Sequence, residues 1–125
     1  MKVLVQSAMI FLCFFIIDRI YLTVMGQRIQ LQVLTVQHSP LHKKQLATLL
    51  LNLVALVAIV FLIVLPRARL IDAFCLGAII HGTVNFTNMA LFDNWDKTLT
   101  LIDILFGGVQ MASATYLGRI LASKI

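Results

Sequence analysis

The twenty residues from Leu46 to Leu65, LATLLLNLVALVAIVFLIVL, contain no charged side chain and a single amide, Asn52. About 20 apolar residues are what a helix needs to cross a ~30 Å hydrocarbon core. Inside lipid every backbone donor must be satisfied internally, so such a run can only be helical. A closed barrel would need many short alternating strands instead. Three further runs have comparable length, roughly 3–24, 70–92 and 98–121. The sequence therefore specifies an all-α fold, a four-helix transmembrane bundle, as one integral membrane domain over residues 1–125.

Composition supports this. The chain is 61% hydrophobic and 12% charged, whereas soluble domains run near 45–50% and about 25%. A soluble core of this size has no use for that much apolar surface. Lys2 before the first run resembles a signal peptide, but the run outlasts a signal core of about 7–15 residues. Gly26 and Gln27 then lead into more apolar sequence, so the first span is expected to be retained.

The net charge of +5 sits in the connections and near the ends, where it suits anionic headgroups rather than nucleic acid. Lys2, Arg67, Arg69, Arg119 and Lys124 fall on the side of the termini. Arg28, Lys43, Lys44 and Lys97 fall on the other. This five-to-four excess places both termini inside.

The connections differ. Between the second and third spans, and again at Asp93–Lys97, they are short, which predicts that helices 2, 3 and 4 form a compact up-down unit. Trp95 is expected to anchor the second of these turns at the interface, ring buried and N–H wet. Asp93 and Asp96 beside it read as solvated turn charges. The longer first connection is amphipathic over about 26–38, with Ile29, Val33 and Val36 on one face and Gln27, Arg28, Gln30 and Gln32 supplying polar groups. It is expected to continue the first span as an interfacial helix, covered by lipid headgroups or by a partner protein.

Polar residues at membrane depth are costly unless paired, so each is a candidate for function. They are Asp18, Asn52, His81, Asn85, Thr87, Asn88, Asp103 and Gln110. His81, Asn85 and Asn88 recur at i, i+4 and i+7, with Gly77 on the same stripe and Gly82 nearby. Thr100, Asp103, Gly107, Gln110 and Ala114 make a second polar, small-residue seam on the fourth span. Two such seams favour close antiparallel packing with amides bonding across the gap. Counting from span ends places Asp18, Asn52, Asn88 and Asp103 at one depth, about 7 Å inside, with Asn85 and His81 deeper. Such a layer can lock helix register, form a solute, proton or headgroup site, or meet another subunit.

Enzyme signatures are lacking: no HExxH, GxSxG or phosphate loop is present, and Cys13 and Cys75 lie in apolar runs without a Cys/His ligand set. The sequence thus argues against an enzyme and calls for no metal or cofactor.

The stretch LGAIIHGTVNFTNMALFDNW followed by LTLIDILFGG resembles an uncharacterised, domain-of-unknown-function family of small four-helix membrane proteins common in bacteria. The family pattern has Gly, Gly and Tyr-Asp-x-Thr-Asn in a third helix, Trp in the turn, and Asp then Trp-Gly in a fourth. The matching positions are Gly77, Gly82, Val84, Asn85, Thr87, Asn88, Trp95, Asp103, Phe106 and Gly107. Asp18 and Tyr21 match an Asp-then-aromatic feature of the first helix. The family's Tyr-Asp is Val84-Asn85 here, so a neutral amide replaces a carboxylate. That departure favours hydrogen bonding over proton relay.

The readings that follow are three. A structural or accessory subunit of a larger assembly, touching lipids, other membrane subunits or its own copies, comes first. A transporter or channel for a proton, cation or small polar solute comes second, and a lipid-binding or lipid-modifying protein third.

Overall fold

The computed structural model describes residues 2–39 and 44–125. Lys43, which entered the charge balance, lies outside them. The described residues form four helices, each long and apolar enough to cross a membrane: α1 (Lys2–Gln37), α2 (Gln45–Ile59, extended by a widened π turn at Val60–Val64), α3 (Leu70–Leu91) and α4 (Lys97–Ser123).

The ends have local causes. α1 stops where His38 adopts a left-handed conformation (φ 59°) and its N–H bonds back to Leu34, a common way to close a helix. The π turn ends two residues before Pro66, which donates no hydrogen bond and crowds the carbonyl four residues earlier; Leu65 N–H bonds five residues back to Val60, and beyond the proline Ala68 N–H closes the helix onto the Ile63 carbonyl. Asp72 starts α3 by accepting from the Arg69 N–H and guanidinium at 3.0–3.1 Å. Asp96 caps α4, its carboxylate accepting from Thr98 N–H and Leu99 N–H.

The stretch 26–38 is no separate element. It forms the last turns of one uninterrupted 36-residue helix, because neither Gly26 nor the glutamines break the backbone pattern.

The packing departs from the expected unit of helices 2, 3 and 4. α4 lies between α1 and α3, antiparallel to both, and carries most of the helix–helix contact; α2 packs chiefly on α1. α2 reaches the core through Ile59, Ile63 and Val64, near its widened end, where they join Ile10, Ala73, Met111 and Ala114. The reason is chemical. In lipid there is no hydrophobic drive between helices, so small and polar residues determine association, and the leucine-rich α2 has no glycine while its Asn52 amide turns to its own backbone.

Glycines set the closeness. A Cβ at Gly77 would overlap the Gly107 carbonyl, and one at Gly118 would press on Ile10. α3 and α1 therefore approach α4 backbone to backbone at two levels, at Gly107 near its middle and at Gly118 toward its end.

Candidate functional site

The α4 seam expected from spacing is buried: Thr100 is 1% exposed, and Gln110 and Ala114 are 0% exposed. Asp103 sits on this seam, where α1 and α3 both come within reach. Its Oδ1 accepts from the Tyr21 hydroxyl at 3.0 Å. Its Oδ2 faces His81 Nδ1 at 3.1 Å and accepts from Asn85 Nδ2. A carboxylate only accepts, so the Nδ1 that serves it is the protonated nitrogen of the imidazole. Asn85 is itself fixed, its amide also donating to the His81 carbonyl at 2.8 Å. One side chain of α4 thus holds two residues of α3 and one of α1.

Neighbouring groups shape this node. Gly107 makes room for the imidazole, since a Cβ there would strike the His81 ring and the Gly77 carbonyl. Phe106 stacks on Tyr21, with centroids 3.8 Å apart and planes 9° from parallel, and meets His81 edge-on. The aromatic sandwich restricts Tyr21 to the side where Asp103 stands.

A second station lies seven residues along α4, about 10 Å by helical rise. There Gln110 Nε2 donates to the Phe14 carbonyl at 3.2 Å and to Asp18 Oδ1 at 3.4 Å, while Gln110 Oε1 is buried with no partner among the described residues. Arg19 lies over the Phe15 ring instead of pairing with Asp18.

Asp103 and Gln110 thus take their partners at two levels of α4, with Asp18 in electrostatic reach of His81 and Asp103. The count from span ends took α1 to end near Val24, whereas α1 continues to Gln37, so its register against α4 is set by contact and not by its end. Asn52 stays apart, donating to the Thr48 carbonyl of its own helix at 2.9 Å. Thr87 likewise bonds Thr83 within α3 and is exposed. Asn88 is half-buried, with no side-chain hydrogen bond among the described residues. Gly82 is buried in ordinary contact with Ile104.

A third polar contact was not visible in the sequence. Arg28 pairs with Asp96 at 2.9 Å, Gln32 Oε1 accepts from Asp96 N–H at 2.7 Å, and Gln32 Nε2 donates to the Asn94 carbonyl at 3.4 Å. The extension of α1 is thereby stitched to the α3–α4 turn, and Asp96 is not a free solvated charge. The Asp96 carboxyl is held below its usual range, first by the Leu99 amide and then, against the opposing effect of burial, by the Arg28 guanidinium. Trp95 packs against Phe92, and its Nε1 is buried with no hydrogen-bond partner among the described residues. No group of three His, Cys, Asp or Glu among the described residues is placed to hold a metal ion.

Tyr21 was recognised only through the family resemblance. Its signal was the i, i+3 spacing from Asp18, which puts both on the face turned to α4. Gln32 was hidden among six other glutamines and is distinguished only by its burial, at 6% exposure.

Residues 3–120 match the model of a family, DUF2177, described as a predicted membrane protein. No curated protein and no solved structure matches the chain.

Proposed function

The chain belongs to this family of predicted membrane proteins, and we propose that it serves as a structural or accessory subunit of a larger membrane assembly, its helices locked by the Asp103 node. One observation carries the reading: the Asp103 carboxylate is committed at once to Tyr21 of α1 and to His81 and Asn85 of α3. A group so fully engaged within the chain serves register better than turnover. Asn85 adds to this, being an amide at the position where the family pattern has a carboxylate.

Extraction in mild detergent followed by identification of co-purifying chains tests the subunit role. Companion polypeptides that are lost in Asp103→Leu and kept in Asp103→Asn support it; a monodisperse monomer with no companion overturns it. The five-to-four excess of basic residues supports both termini on the inner side, and reporter fusions at each end would test it.

Transport of a proton or cation is the second reading. It is favoured by the incomplete burial of the pair, since the His81 and Asp103 side chains retain 22% and 24% exposure. Flux into liposomes, compared for the natural protein, Asp103→Asn and His81→Ala, decides it. Equal flux in all three removes the idea.

A further inference from the structure

On the side of the termini, the first turn of α1, the widened end of α2 and the last turns of α4 converge on a cavity of about 360 Å³. Three cationic side chains line it: Lys2, Arg67 and Arg119. Among the described residues none of them is paired with a carboxylate. Asp72, the nearby acid on this side, is taken by Arg69. Arg119 is pinned by one bond, Nη2 to the Ala68 carbonyl at 2.7 Å, and its other N–H groups have no partner among the described residues. Arg67 is held in the left-handed region (φ 53°), a conformation that non-glycine residues adopt only where the surroundings impose it. Arg67 closes the end of α2, its N–H bonding the Val64 carbonyl and the Ala68 N–H bonding the Ile63 carbonyl.

This cavity does not stand alone. Val3 also lines an open groove of about 730 Å³ that runs inward between α1 and α2, walled by Phe11, Leu12, Leu56 and Val60. Ser7 is the polar residue of that wall. It is 4% exposed, and its Oγ has no hydrogen-bond partner among the described residues. By helical rise it lies about 7 Å inward of Lys2. From the membrane surface inward, the order is three cations, one unpartnered hydroxyl, then hydrocarbon.

We propose that this composite site holds an anionic phospholipid, its phosphate among Lys2, Arg67 and Arg119, its glycerol ester at Ser7 and one acyl chain in the α1–α2 groove. Charge complementarity selects an anion, and the adjoining apolar groove selects an anion with a tail. The site lies away from the Asp103 node and does not depend on that node's role. It gives α2 a reason to remain at the edge of the bundle: the lipid fills the gap that a tightly packed helix would close.

The test is native mass spectrometry of the full chain after reconstitution with equal phosphatidylglycerol and phosphatidylcholine. Phosphatidylglycerol should be retained in preference, and excess inorganic phosphate should not displace it. Each basic side chain at an anionic surface contributes roughly fivefold, so Lys2→Gln with Arg67→Gln should lower retention about thirtyfold. Ala8→Phe, at an exposed position lining the groove, should lower it with the three cations intact. Should circular dichroism show the double variant unfolded, Lys2→Gln alone, in the exposed first turn, should give about a fivefold loss. Equal retention of phosphatidylcholine, displacement by inorganic phosphate, or full retention by a folded cation variant overturns the proposal.

Discussion

α2 and α4 are both long apolar helices, yet they occupy opposite places in the molecule. α2 is the more hydrophobic of the two, but far less of its apolar stretch is buried than of α4's. In water the order would be reversed. In lipid a leucine is as well solvated by acyl chains as by another helix, and burial goes to the helix with glycines for close approach and polar groups needing partners. The polar groups of α4 reach other helices, at Asp103 and Gln110. The amide of α2 turns back on its own backbone.

The comparison breaks most sharply at the glycines. Gly107→Val should cost about 3 kcal/mol or more, because the added carbon meets backbone and ring and the helices must part. Gly26→Val, with nothing within 4 Å of its Cβ position, should cost well under that. Unfolding in mixed micelles measures both.

Asp103→Ala comes next. It strands donors from Tyr21, His81 and Asn85, and a total of about 2–3 kcal/mol is expected, since each buried unsatisfied group costs roughly 1–3 and this node is partly exposed. The same unfolding assay, read against Asp103→Asn, separates the loss of hydrogen bonds from the loss of charge.

Asp96→Ala should cost about 1 kcal/mol through loss of the α4 cap. The pH dependence has a definite sign. The folded-state value is lowered, so the contribution is present above the unfolded value near 3.9 and disappears as pH falls through the folded one. The acid limb below about pH 4 should therefore be shallower in Asp96→Asn. The effect is small because the side chain is 32% exposed and solvent screens it.

Asn52→Leu is the smallest. With no partner outside its own helix, it should change stability by no more than the ~0.6 kcal/mol typical of such bonds. A larger loss would mean that α2 is held by something other than its widened end.

Sequence alone determined the solvent, and through it the class of fold. Runs such as Leu46–Leu65 can satisfy their backbone in lipid only as helices, so the four-helix architecture was legible before any coordinates. Seam spacing also foretold that His81, Asn85 and Asp103 face a common interface, because helical periodicity fixes which residues share a face. Periodicity within one helix carries no register between helices. Only the tertiary structure decided that α4 is the central helix, that Asp103 meets Tyr21 while Asp18 meets Gln110, and that Gln32 and Arg28 fasten the α3–α4 turn. Those pairings depend on where glycine lets two backbones touch, at Gly77 with Gly107 and at Gly118 with Ile10. That choice lies between helices and not along either one.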